Sequence, residues 1–166
     1  EIVENGYVLT KEGTYRITAT DYTGRSTTVY VEIDKTAPSI TGFEDNSYND
    51  GNEIVYVRDE NLYKVTINGT EYEHDGKYFE EKFGSDGTYV VVATDRAGNS
   101  TTKTVTVDKT DPVFTTVMNG HQYNTDKEIT VEDNNLDTIE VYYYEDDTTE
   151  IVENGYVLTK EGTYRI

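Results

Sequence analysis

Residues 86–112 read DGTYVVVATDRAGNSTTKTVTVDKTDP. Two runs rich in Val, Thr and Tyr, Gly87–Thr94 and Thr101–Val107, flank the pentapeptide Asp95-Arg96-Ala97-Gly98-Asn99. Val, Thr and Tyr suit a pleated, half-buried surface. In the second run Thr102, Thr104 and Thr106 alternate with Lys103, Val105 and Val107. That period of two puts one set on a core face and the other outward. The pentapeptide has turn composition, with Gly98 where a positive φ is required. The stretch predicts two strands and the tight turn between them.

The same grammar continues upstream. Ser39–Phe43, Glu53–Val57, Leu62–Ile67, Thr70–Tyr72 and Lys77–Phe83 read as further short strands. Asn68-Gly69 between two of them is the two-residue signal for a type I′ hairpin. Seven short strands, with a turn signal roughly every ten residues, predict a β-sandwich. No segment carries a helical period.

The quoted stretch also has a relative inside the chain. Residues 12–38, EGTYRITATDYTGRSTTVYVEIDKTAP, agree with it at 15 of 27 positions with an offset of 74. Tyr48-Asn49 matches Tyr123-Asn124 at an offset of 75, and Asp59, Asn61 and Leu62 match Asp133, Asn135 and Leu136 at 74. Residues 150–166, EIVENGYVLTKEGTYRI, repeat residues 1–17 letter for letter, giving a period of 149. Identity at positions such as Glu4/Glu153 and Lys11/Lys160 is not a packing requirement, so it reports copying at the level of the gene. A fixed period is the signature of an array.

The period holds two modules of about 75 residues. Residues 35–108 form a complete one, whereas 1–34 are the back and 109–166 the front of a split one. Two arrangements accommodate the split module. The chain is a window of a continuous array, or separate chains complete one another head to tail. In the second arrangement the duplicated seventeen residues are redundant, which favours the window.

Composition narrows the functional classes. With 33 acidic and 14 basic residues the net charge is -19, a field that repels nucleic acid and anionic membranes. Mean hydropathy of -0.73 raises the question of disorder. The 16 Tyr and 27 Thr, with only 2 Pro, answer it in favour of β structure. No cysteine is present, which excludes disulfides and thiolate metal sites. No run approaches the roughly 20 apolar residues of a membrane span. Phosphate loops, nucleophile elbows and His-rich metal motifs are absent from the sequence. His74 and His121 sit in polar stretches as loop residues. No catalytic residue is expected, and the chain does not read as an enzyme.

The pattern GTY-x-x-x-ATD-x-x-G-N-S-T-T-x-x-x-x-VDKT-x-P resembles the bacterial immunoglobulin-like repeats found in tandem on surface proteins and adhesins of Gram-positive bacteria. The resemblance covers both modules; one departure is Arg25, which stands where the first module has Asn99. It implies tandem immunoglobulin-like sandwiches, an extracellular setting at the cell surface, and a role as spacer or adhesin. Its partners are then neighbouring modules of the same array, and for an adhesive module a host glycan or protein. In such folds a Tyr opening the penultimate strand, here Tyr89 or Tyr15, returns its hydroxyl to the preceding corner. A plain core aromatic is the alternative.

Three groups of residues remain as sites. In a sandwich of this type the junction after Asp34 faces Asp59-Glu60-Asn61 and Asp95…Asn99, oxygen donors of the kind calcium takes six to eight of. No cofactor is required, and calcium is the ion this set fits. The plainer reading is that Asp95 and Asp21 cap turn amides while Asp34 and Asp108 end strands. At the sister junction, with Asp108, Asp133-Asn134-Asn135 and Asp21, Arg25 brings a positive charge and weakens any site. Tyr142-Tyr143-Tyr144 places rings on both faces of one strand, so Tyr142 and Tyr144 are expected at a ligand or module contact. Lys35 and Lys109 are the lysines available for an isopeptide cross-link.

Overall fold

The computed structural model describes residues 2–166, and Glu1, the first residue of the duplicated segment, lies outside them. Every regular element among the described residues is a strand, and several sheets form. The chain divides into two compact units, one reaching Lys109 and the other spanning Thr110–Ile166.

The first unit opens with β1 (Gly13–Thr20) and β2 (Ser26–Ile33), an antiparallel hairpin that forms a sheet of its own. Then follow β3 (Ser39–Thr41), β4 (Ser47–Asn49), β5 (Ile54–Arg58), β6 (Leu62–Ile67), β7 (Thr70–Tyr72), β8 (Tyr78–Lys82), β9 (Gly87–Asp95) and β10 (Ser100–Val107). Strands β3-β5-β8 make one sheet and β4-β10-β9-β6-β7 the other. Ile40, Val55, Val57 and Phe79 from the first share one core with Leu62, Val65, Ile67, Val91, Ala93, Val105 and Val107 from the second. Two sheets facing each other across an apolar layer make this part sandwich-like. Leu62, Val65, Val91 and Val105 are completely buried. Truncating Leu62 to Ala is expected to remove about 2–5 kcal/mol of stability.

All seven strands read from the sequence are present, with ends shifted by one or two residues. The eighth, β4, lies in the polar run EDNSYND, where no alternation announces it. It runs parallel to β10, and Asp45 Oδ1 accepts the Thr104 N–H at 2.8 Å beside it. Asn68 and Gly69 have φ of 50° and 79°, as a type I′ turn requires. Gly42 answers a different need. A Cβ there would lie 2.0 Å from the main-chain oxygen of Ile54, so only glycine lets the two segments approach. Its counterpart 74 positions on is Thr116, whose hydroxyl donates to Glu128 O at 2.6 Å. A side-chain bond there stands in for close main-chain contact.

The second unit comprises β11 (Val113–Phe114), β12 (Lys127–Glu128), β13 (Val131–Glu132), β14 (Ile139–Tyr143), β15 (Thr148–Val152), β16 (Val157–Leu158) and β17 (Tyr164–Arg165). Its sheets are β11-β13, β12-β16 and β15-β14-β17. Its core is smaller, with Ile129, Val131, Ile139, Val141 and Val152 buried. Ile129, Val131, Ile139 and Val141 are the counterparts of Val55, Val57, Val65 and Ile67 at the offset of 74. Asn154 completes this core in an unusual way: its side-chain amide accepts from Val131 N at 2.9 Å and donates to Val131 O at 2.8 Å.

Residues before Lys35 belong to the same compact unit as the eight-stranded part. The link is chemical. Lys35 Nζ donates to Thr10 O at 2.6 Å, and Glu12 Oε1 accepts from Lys35 N at 2.7 Å and Thr36 Oγ1 at 3.0 Å. The corresponding Lys109 Nζ donates to Gly84 O at 2.7 Å, and Asp86 Oδ1 accepts from Lys109 N at 3.2 Å. Both lysines therefore clamp the loop that leads into the preceding Gly-Thr-Tyr strand.

Candidate cation site

Three chain segments converge beside the linker Asp34–Pro38. Strand β2 delivers Asp34, the turn between β5 and β6 delivers Asp59 and Asn61, and the turn between β9 and β10 delivers Asp95 and Asn99. Carboxylate oxygens of Asp34, Asp59 and Asp95 lie within 4.8 Å of one another. Asp95 is 1% exposed, while the other two are half-buried. Asp34, Asp59 and Asn61 border an open groove that also meets Glu32, Glu60 and Lys77.

Each acid is first engaged by its own turn. Asp95 Oδ1 accepts from Asn99 N at 2.8 Å, and Asp95 Oδ2 from Asn99 Nδ2 at 2.7 Å. Asp59 Oδ1 accepts from Asn61 N at 2.7 Å, and Asp34 Oδ1 from Thr36 N at 3.1 Å. The turn-capping role expected for Asp95 is therefore present in the geometry. It does not use up the carboxylates, since each has lone pairs left over.

Two asparagine amides bridge the segments. Asn61 Nδ2 donates to Asp34 Oδ2 at 3.1 Å and to Glu32 Oε1 at 3.3 Å. Asn99 Nδ2 reaches the main-chain oxygens of Asp34 at 3.2 Å and Thr36 at 3.5 Å. The two NH2 groups thus donate to oxygens that a bound cation would draw on. For either asparagine to serve as a ligand, its amide must turn by half a rotation and present Oδ1. Glu60 does not join the cluster; its carboxylate points to Lys77 Nζ at 2.5 Å, on an exposed side chain.

Glu32 was not anticipated from the sequence. It lies two positions before Asp34 on one strand face, so the period of two could have identified it. The electrostatics follow from the crowding. Burial pushes the Asp59 carboxyl above its ordinary value, and the charges of Asp95, Asp34 and Glu60 push the same way against the Asn61 N–H.

The sister residues are distributed over both units. In the first, Asp21 Oδ1 accepts from Thr23 N at 2.8 Å, Thr23 Oγ1 at 2.7 Å and Arg25 N at 2.9 Å. These bonds, that of the Thr23 hydroxyl foremost, hold the Asp21 carboxyl below the usual carboxylate range. Arg25 contributes only its main chain to this turn where Asn99 also uses its side chain. In the second unit, Asp133 Oδ1 accepts from Asn135 N at 2.8 Å, the bond that Asp59 makes to Asn61.

The aromatic residues lie elsewhere. Tyr142 and Tyr144 share one face of β14 and its turn, with rings 4.7 Å apart at 86°. Arg165 lies over Tyr142 at 5.1 Å, and the Tyr142 hydroxyl donates to Asp147 Oδ1 at 2.5 Å. Tyr144 is 53% exposed. Tyr143 faces the other way and stacks on Tyr164 at 4.8 Å. Tyr89 and Tyr15 both return their hydroxyls to the chain four residues back, to Ser85 O at 2.8 Å and Lys11 O at 2.7 Å. Tyr164 does the same with Lys160 O at 2.8 Å. His74 is tied into its loop, with Nδ1 accepting from Gly76 N at 3.1 Å and Nε2 3.0 Å from Tyr63 O.

No known protein-family model matches the chain, and no curated protein matches it.

Proposed function

We propose that the chain is a segment of an extracellular tandem array of immunoglobulin-like modules of about 75 residues, a stiff spacer in a bacterial surface adhesin. The observation that carries this reading is the linker clamp. Lys35 with Glu12, and Lys109 with Asp86, repeat one set of bonds at an offset of 74. Each set ties the first residue of a linker to the loop before it, and Pro38 and Pro112 fix φ at the linker's end. Units that contact mainly their neighbours can be added or removed without redesign. The net charge of -19 keeps long molecules apart. No catalytic step belongs to this role.

The carboxylates of Asp34, Asp59 and Asp95, with Asn61 and Asn99 turned to offer oxygen, are proposed to take calcium at the junction. An ion bound there ties the preceding hairpin to the module that follows and stiffens the same joint. Small-angle scattering of polypeptides carrying one, two and three periods tests the spacer. The largest dimension is expected to rise in proportion to the number of periods; a globular scaling rules the spacer out.

A second reading rests on the pair of half-buried Tyr142 and exposed Tyr144, an aromatic platform beside Arg165 of the kind that contacts glycan or protein. In that case Tyr144→Ala abolishes adhesion while the β-sheet circular dichroism is unchanged.

A further inference from the structure

We propose that His74 is a proton-operated latch on the loop between β7 and β8, closed on Gly76 while its ring is neutral and released when the ring is protonated. The latch lies wholly within residues 35–108. It goes beyond the spacer reading, since it needs neither a neighbouring module nor a bound ion.

The loop is built with a bond that the chain uses repeatedly. Asp34, Asn49, Asp50, Asp59 and Asp75 each accept, through a side-chain oxygen, the main-chain N–H two residues ahead. Such Asx turns fold a polar loop from its own groups. His74 makes the same turn with a nitrogen: Nδ1 accepts from Gly76 N at 3.1 Å. Gly76 has a φ of 89°, a left-handed conformation that glycine adopts freely. Among these acceptor types, imidazole alone changes charge between about pH 5 and 8.

The other ring nitrogen fixes the tautomer. Nε2 lies 3.0 Å from the main-chain oxygen of Tyr63, which only accepts, so Nε2 carries the hydrogen. Gly76 N only donates, so Nδ1 holds the free lone pair. The two bonds together are made by the neutral ring alone. Strands β6 and β7 pair antiparallel out to Val65↔Tyr72, and by the same count Tyr63 and His74 fall opposite each other. The His74 side chain thus extends the ladder at the edge of the five-stranded sheet. A proton on Nδ1 sets N–H against N–H, and Gly76 must part from the ring. The Nε2 bond to Tyr63 survives, so the ring stays seated and only the turn beyond it opens.

The charged groups nearby leave the switch to the imidazole. Within the loop Glu73 and Asp75 flank it, and Asp75 interacts with its charge. The Asp75 carboxyl is held below the usual carboxylate range, first by the Lys77 N–H and then by that of Tyr78, so it stays ionised throughout. Lys77 is engaged by Glu60 of the β5–β6 turn at 2.5 Å, and Lys64 of β6 by Glu71 of β7 at 3.2 Å. Arg96, from the turn between β9 and β10, lies over the Tyr63 ring at 6.0 Å. Asp75 Oδ1 therefore keeps its bonds from Lys77 N at 2.8 Å and Tyr78 N at 2.6 Å when the latch opens. Those two amides are a reference inside the same loop.

Nuclear magnetic resonance of the isotope-labelled chain tests the latch. At about pH 8 the His74 ring is expected to carry its one hydrogen on Nε2, and a hydrogen on Nδ1 overturns the proposal. On acidification to about pH 5, solvent exchange of the Gly76 amide, corrected for the intrinsic effect of pH, is expected to rise severalfold. The Lys77 and Tyr78 amides are expected to keep their protection. Unchanged exchange at Gly76, or a rise shared by all three amides, overturns the latch. His74→Asn supplies an acceptor that does not titrate and is expected to protect Gly76 equally at both pH values; the same acid-induced rise in that variant sinks the idea. His121→Asn removes the only other histidine and is expected to leave the Gly76 response intact. Loss of the response there assigns it to the wrong ring and overturns the proposal as well.

Discussion

The side-chain amide of Asn99 donates to the main-chain oxygen of Asp34 at 3.2 Å, across 65 positions of sequence. The same NH2 group bonds Asp95 Oδ2 at 2.7 Å, so one residue couples the linker to the last turn of the module. Asn99→Ala leaves an oxygen of the buried Asp95 without that donor. Urea denaturation is expected to show a loss of about 1–3 kcal/mol. Asn99→Arg, which copies the sister residue Arg25, is expected to lose a similar amount, because a guanidinium must either desolvate in that space or swing out. A stable Asn99→Ala variant would mean that the amide bridge is dispensable.

Calcium binding predicts a ligand-dependent transition. Millimolar calcium is expected to raise the melting temperature, by a stabilisation of about 2.7 kcal/mol when the ion is at a hundred times its Kd. Asp34→Ala and Asp59→Asn are expected to abolish the rise, and Glu60→Gln to leave it intact, since Glu60 faces Lys77. Identical transitions in calcium and in chelator would reduce the cluster to turn chemistry.

Asp59 also predicts a pH dependence for the metal-free protein. Its folded carboxyl is pushed above the ordinary 3.8, chiefly by burial and then by Asp95, Asp34 and Glu60. The native state holds that proton more readily than the unfolded chain. The contribution to stability is therefore full below the unfolded pKa and is lost as pH rises through the folded one. In chelator at neutral pH, Asp59→Asn is expected to be more stable than the parent. The difference should close as the pH falls below about 4. A variant less stable at neutral pH would contradict the crowding.

Tyr89 separates ring from hydroxyl. The ring stacks on Phe83 at 4.1 Å, and the hydroxyl reaches Ser85 O at 2.8 Å. Tyr89→Phe keeps the first and drops the second, with an expected loss of about 1 kcal/mol. Tyr89→Ala removes both, and about 3–5 kcal/mol is expected. Equal losses from the two would assign the whole effect to the hydroxyl.

Gly42→Ala is expected to unfold or strongly destabilise the eight-stranded part, because its Cβ meets Ile54 O at 2.0 Å and φ is 105°. Thermal unfolding gives the comparison with Gly69→Ala, a positive-φ glycine with open space around it. A similar loss at both positions would place the penalty in φ alone.

The strands were legible wherever one face is buried, because burial imposes the alternation seen in Leu62–Ile67 and Ser100–Val107. Strand β4 was not, because Ser47, Tyr48 and Asn49 sit at an edge and pair through the main chain alone. For the site, the acids were legible as donors near one junction. Their direction was not: Glu60 turns away, Glu32 turns in, and the two asparagines present nitrogen.

The sequence by itself determined the all-β class, the turns at Asn68-Gly69 and Gly98, the offset of 74 and the shared register of the two hairpins. Those follow from local chemistry, namely period, propensity and the φ that glycine permits. Only the tertiary structure decided that Asp34, Asp59 and Asp95 approach within 4.8 Å. It also decided that Ile17 stays open where Val91 is buried. Two nearly matching strands differ in exposure because exposure depends on the strand alongside, and no residue carries that neighbour in its own side chain.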